Sequence, residues 1–226
     1  MTVSPQQAIR AMVVAAERHE EGAHYLPEKP VVTLSRDHGA GGDAIAAMLA
    51  ERLDVPVYDH VILHKIAERL DAEPAAVKQL DESLGRGRDM WLYRLISGRS
   101  LQREEYLRHL VDIIYGLSRV GGIVVGRGGH VILAERPALR VRIAGSPSEC
   151  AKRVAESENV SHAQALARVK EVNHNRGKFV WDHFRSRLND PSQFDITVNT
   201  DRLTDFNALV TYLTELAGAV QKGQVL

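Results

Sequence analysis

The 226-residue sequence balances 29 Lys+Arg against 29 Asp+Glu, so no overall positive field exists to drive non-specific nucleic-acid binding. With 44% hydrophobic residues it can fill the core of one α/β domain, and its single cysteine, Cys150, excludes an intramolecular disulfide and a cysteine-based zinc cluster. The apolar stretch at residues 11–16 falls far short of the ~20 residues of a membrane span and is followed by charges rather than a cleavage site. A cytoplasmic protein with no targeting segment, no membrane association and no nucleic-acid partner is the expectation.

Residues 4 to about 20 read as a helix, capped by Ser4, with Pro5 in its first turn and Ile9, Met12, Val13 and Ala16 on one face. Residues 1–30 thus form a helical extension ahead of the first strand. Its apolar face must cover the core or a second subunit, which leaves a homo-oligomer open. The β-branched run from Val31 leads into Gly39, Ala40, Gly41 and Gly42, and a helix from Asp43 to about Asp54 carries Ile45, Met48, Leu49 and Leu53 inward. Residues 56–59 read as a short strand and His60 to Leu70 as a helix, continued by residues 74–80 after a break. His60 and His64 lie four apart, but no third ligand has motif-like spacing, and ordinary helix histidines are the better reading.

Residues 85–108 carry Arg86, Arg88, Arg94, Arg99, Arg103 and Arg108 with Trp91 and Tyr93. They fit either a solvated helical face or an anion-binding insertion. A helix over about 101–119 stops at Gly121-Gly122, and the apolar strand Gly122 to Gly126 ends in Arg127-Gly128-Gly129. Arg127 therefore emerges at a strand's C-terminal end, where ligands bind in doubly wound sheets. Residues 139–144 form a fourth strand, followed by a helix from Glu149 and a long one from Ser161 to about Phe184. The low hydrophobicity of the latter predicts a partly detached element. Residues 194–200 give a fifth strand, and 204 to about 221 a closing amphipathic helix. Strands alternating with helices predict parallel right-handed βαβ units, hence a three-layer α/β/α sandwich.

The chain is organised around the glycine turn, whose close glycines at a helix start offer N–H groups and the positive dipole end to a phosphate. Compared with G-x-x-x-x-G-K-[ST], the first glycine is Arg36, the lysine is Gly42 and the hydroxyl is Asp43. Asp43 also fits a helix cap without any ligand role.

Four blocks in order resemble the bacterial cytidylate kinase-like proteins of the P-loop nucleoside monophosphate kinase class. They are Thr33-Leu-Ser-Arg-Asp-His-Gly-Ala-Gly-Gly42, Val57-Tyr-Asp59, Val125-Gly-Arg-Gly-Gly129, and Asp190-Pro-Ser-Gln-Phe-Asp195 before Asn199-Thr200. The resemblance implies a five-stranded parallel sheet in one domain, with a helical acceptor-side insertion at about 72–120 and helical lid at about 150–187. It implies ATP-dependent phosphoryl transfer to a nucleoside monophosphate, most plausibly a cytidine nucleotide, assisted by Mg2+. Ser35, Arg36, Gly39, Ala40, Gly41, Gly42 and Asp43 would face the donor phosphates, with Asp43 as metal ligand. Asp59 and Arg127 match acceptor positions, and Arg168 and Arg176 match lid arginines.

The departures are equally specific. The P-loop lysine is absent, Gly128 stands where an acid would follow the Gly-Arg pair, and Cys150 replaces an arginine, leaving Arg153. The lid's acid-x-x-Arg spacing persists only as Asn173-x-x-Arg176. Catalysis then requires a substitute cation, for which Arg36 is the first choice. A nucleotide-binding regulator without catalysis and a kinase for another small metabolite are the rival readings.

Overall fold

The computed structural model describes residues 4–17, 26–71 and 101–224. In chain order the elements are α1 (Pro5–Glu17), β1 (Val31–Arg36), α2 (Gly42–Leu53), β2 (Val57–Tyr58), α3 (His60–Asp71), α4 (Leu101–Val120), β3 (Gly122–Val125), α5 (Gly129–Ile132), β4 (Leu139–Ala144), α6 (Pro147–Glu158), α7 (His162–Phe184), β5 (Ile196–Asn199) and α8 (Asn207–Gln221). The continuation at 74–80 and the arginines from Arg86 to Arg99 lie outside the described residues.

All five strands are parallel, in the order β2-β3-β1-β4-β5. β1 occupies the centre, with Val31–Leu34 registered against Gly122–Val125 and Val32–Arg36 against Leu139–Ile143. Strand side chains alternate between faces, and here each face is covered. Val31 joins a core with α1, α3, α4 and α5, whereas Val32 and Leu34 join one with α2, α6 and α8. This is the expected three-layer sandwich, and the central strand delivers its C-terminal residue, Arg36, to the sheet's carboxyl edge.

Most predicted boundaries hold within a residue or two. β5 is shorter than expected because Asp190 to Phe194 form a capped 3-10 turn, and Asp195 accepts hydrogen bonds from the backbone and guanidinium of Arg140. α7 departs more from expectation. It is not detached: Ala165 and Val169 enter one core while Val180 and Phe184 enter the other. Its few apolar residues are enough because they fall at both ends, which leaves the middle polar and available to the sheet edge.

α1 is bound to the domain rather than left for a partner. Ala8, Ile9 and Met12 are buried in the core formed with Leu63, Ile66 and Leu110, and Gly116 of α4 gives Met12 the space that a side chain would fill. Met12→Ala should lower unfolding free energy by about 2–5 kcal/mol, the usual cost of truncating a buried methionine, measured by urea denaturation. An unchanged midpoint would show that α1 is not part of the cooperative unit.

Candidate functional site

The turn between β1 and α2 is held from three sides. Asp37 accepts from Arg142 Nη2 at 2.6 Å and from the Gly145 N–H at 3.3 Å, and its own N–H donates to the Ile143 carbonyl at 2.9 Å. Buried Thr200 donates its hydroxyl to the Ala40 carbonyl at 2.9 Å, and Arg153 reaches the Gly39 carbonyl at 3.4 Å. From α7, Asn173 Oδ1 accepts the His38 N–H at 2.8 Å. Carbonyls are thereby engaged, whereas the N–H groups of Gly41, Gly42, Asp43 and Ala44 have no acceptor among the described residues.

Two glycines answer questions raised by the sequence. Gly41 has φ +78°, and a Cβ there would lie 2.4 Å from the Phe206 ring. At Gly42, the place of the P-loop lysine, a Cβ would meet Arg36 Cβ at 2.5 Å, so the Arg36 stem fills the space in which a lysine would begin. Gly41, not Asp43, occupies the α2 N-cap, and it makes no side-chain cap. Asp43 instead accepts from Arg36 Nε at 2.9 Å, with its side chain 74% exposed against 13% for Arg36.

Arg176 of α7 lies against the same place. It donates to the Arg36 carbonyl at 3.0 Å, and among the described residues no carboxylate comes within ion-pairing distance of it. Burial, then the adjacent Arg36 charge, pushes its pKa down to about 10. The His38 pKa is also lowered, first by burial and then by Arg176. This half-buried guanidinium has no carboxylate directly against it to offset its desolvation, and Asp43 and Asp37 act on it only at longer range.

Beside this pair opens a cavity of about 350 Å3 whose lining includes Ser35, Arg36, His60, Arg127, Asn175 and Arg176. Arg127, in a left-handed conformation with φ +50°, lays its guanidinium 4.7 Å above the Phe179 ring centroid. Below it, Ser35 Oγ lies 3.4 Å from Nδ1 of His130, which stacks on Phe194.

The structure thus gathers Ser35, Arg36, Arg127, Arg176 and the turn with Asp43. Asp59 and Arg168 are otherwise engaged. Asp59 Oδ1 caps α3 by accepting from the N–H groups of Val61 and Ile62, and its neighbour His60 is the one that lines the cavity. Arg168 pairs with Glu158 at 2.5 Å across the α6–α7 connection. Sequence reasoning passed over Asp37, Arg142 and Thr200. The available signal was a strand carrying Arg140 and Arg142 on one side, where a sheet covered on both faces leaves a charge no water and so demands a partner.

The model of the cytidylate kinase-like family matches residues 31–202. The chain belongs to the cytidylate kinase-like family. No curated protein matches it. A crystal structure of an uncharacterised protein from Eubacterium ventriosum superposes with a TM-score of 0.63 at 19% identity, covering 84% of this chain and 99% of that one, and shows the shared fold. A shikimate kinase from Bacteroides thetaiotaomicron overlaps less well, with a TM-score of 0.46 at 15% identity over 84% and 98% of the two chains. Membership of a kinase-like family supports a phosphotransfer function and nucleotide use for this chain. Among the described residues no helix is long and apolar enough to cross a membrane.

Two outcomes follow from the buried charges. Asp37→Ala leaves the Arg142 guanidinium without its carboxylate and should cost about 3–5 kcal/mol in denaturant unfolding; a loss below about 1 kcal/mol would mean that the pair does not anchor the turn. His130 has its pKa lowered from 6.5 to about 4 by burial, with Arg142 and Arg140 adding to it. It is neutral when folded, and below pH 6.5 the unfolded chain takes the proton first, so stability falls as pH drops from 6.5 towards 4. The shift corresponds to about 3 kcal/mol. His130→Gln should flatten that part of the stability–pH curve, and an unaltered slope would place the acid sensitivity elsewhere.

Proposed function

We propose that the chain transfers the γ-phosphoryl group of ATP to a nucleoside monophosphate, most plausibly a cytidine nucleotide, with Arg36 in the role of the missing P-loop lysine. The observation that carries this reading is the Arg36–Arg176 pair, set between the unpaired N–H groups of the turn and the cavity lined by Arg127. Two guanidiniums in a half-buried setting suit charge that spreads over the oxygens of a transferring phosphoryl group.

The residues present fit the nucleotide and its metal ion. Orphan N–H donors of Gly41, Gly42, Asp43 and Ala44 at the start of α2 suit donor phosphates, whereas the Ala40 N–H is taken by the Asp37 carbonyl, and the space beside Gly39, Gly41 and Gly42 is filled by Cys150, Phe206 and Arg36. Asp43 meets Arg36 through Oδ1 and its side chain is largely exposed, and Mg2+ commonly takes one or two protein carboxylates and completes its shell with phosphates and water. The ion, when bound, offsets negative charge between donor and acceptor. Arg36 and Arg176 orient the phosphates, while Arg127, made rigid on Phe179, holds the acceptor phosphate in the cavity. Engagement of donor phosphates would exchange the Arg36–Asp43 contact for phosphate and metal contacts. The helices α6 and α7 form the lid in this reading, with Arg168 reaching the site only after leaving Glu158.

One observation favours a second reading. The Arg36–Asp43 pair satisfies both groups without any ligand, as a nucleotide-binding regulator lacking catalysis would tolerate.

Thermal-shift titration with ATP, CMP and other monophosphates in the presence of magnesium, followed by ATP-consumption assays over the same panel, separates these readings. Turnover should fall by about 10²–10³ in Arg36→Ala and comparably in Arg176→Ala, with Arg127→Ala raising the acceptor KM instead. Binding without turnover favours the regulator. If no nucleotide stabilises the protein, both readings fail.

A further inference from the structure

On the β4 side of the Arg36–Arg176 pair lies a second cavity of about 420 Å3, within the size range of small-ligand sites. Neither the glycines of the turn nor Arg127 line it. We propose that this cavity is a separate binding site for a small phosphate monoester, held by Arg176 and Arg187 beside Trp181. It goes beyond the donor and acceptor positions above and does not depend on them.

The charge balance of the walls carries the inference. Arg36, Arg142, Arg176 and Arg187 all line the cavity, and Asp37 is the one carboxylate among its lining residues. Asp37 is committed to Arg142, whose other two nitrogens donate to the Leu188 and Ile143 carbonyls at 3.0 and 3.2 Å. Arg36 has Asp43. Arg176 and Arg187 remain, and among the described residues neither has a carboxylate within ion-pairing distance. Arg187 instead lies 5.4 Å from the Trp181 ring centroid, and that tryptophan is 42% exposed. Asp190 acts on Arg187, and Asp37 and Asp43 on Arg176, only at longer range, so two guanidiniums without a direct carboxylate partner are left to match one phosphate dianion in charge and in donor geometry. The Asn173 amide, whose oxygen already accepts from His38, adds a neutral donor at the same wall.

The two cavities share Arg36 and Arg176. An anion in one therefore weakens the field felt in the other, and the coupling is reciprocal. A phosphate monoester in the second site would in this way weaken binding of any anion in the first without occupying its place.

The sequence holds two tryptophans, Trp91 and Trp181, and Trp181 lines this cavity. In the Trp91→Phe protein, titration with inorganic phosphate should change Trp181 emission saturably. Arg187→Ser should weaken the midpoint about tenfold, and Arg127→Ala, which alters only the other cavity, by less than about twofold. Emission that never saturates, or a midpoint unmoved by Arg187→Ser, overturns the site, as does a larger loss from Arg127→Ala than from Arg187→Ser. Because Arg187 and Trp181 are exposed, both substitutions should leave thermal unfolding unchanged. Calorimetric titration of Trp181→Ser with phosphate gives a second measure, in which retention of every wild-type site refutes the proposal. No ATP is present, so the result is separate from that of the phosphoryl-transfer assay.

Discussion

The contact on which the site depends is the ion pair between Asp37 and Arg142. A charge inside a covered parallel sheet is costly unless its partners are near and well aimed, and Arg142 meets that condition by reaching three places at once. It holds the first residue of the glycine turn, a carbonyl of its own strand, and the Leu188 carbonyl beyond α7. One guanidinium therefore sets the distance between the turn and the segment that closes the second cavity. The turn is fixed further by Thr200 and Arg153 through its carbonyls, which leaves the N–H groups from Gly41 to Ala44 as the unengaged ones. Preorganisation of that kind lets a phosphate bind without reordering the backbone.

Much of the architecture was legible because its signals are local and repetitive. Apolar strands with β-branched residues, glycine stops and helical periodicity located five strands and the helices between them, and the alternation implied a parallel sheet. The order of the strands in space was not legible, since crossover length fixes handedness but not which neighbour a strand pairs with. α7 misled for a related reason: its mean composition is polar, yet its apolar residues sit where two separate cores need them. Average hydrophobicity loses that placement, and the true contacts are long-range.

The site was readable where backbone geometry dominates. Glycines at 39, 41 and 42 announced the turn, and Arg127 followed from the end of a strand. Long side chains were harder. Arg168 and Asp59 satisfied the family pattern in sequence, but in space one meets Glu158 and the other caps α3. Conversely, the reason that Gly42 replaces a lysine is steric and lies outside its own segment, in the stem of Arg36. No one-dimensional pattern could supply that, because it depends on a strand residue folding over the helix that follows.

The balance of charge has a kinetic consequence. With 29 basic and 29 acidic residues, the molecule presents no net field at long range, and the guanidiniums that face its cavities are screened beyond roughly 8 Å at physiological ionic strength. A polyanion approaching from solvent is not steered at long range, so its arrival rate should depend little on added salt. Selection among phosphorylated compounds is then made after arrival, through how long each one stays.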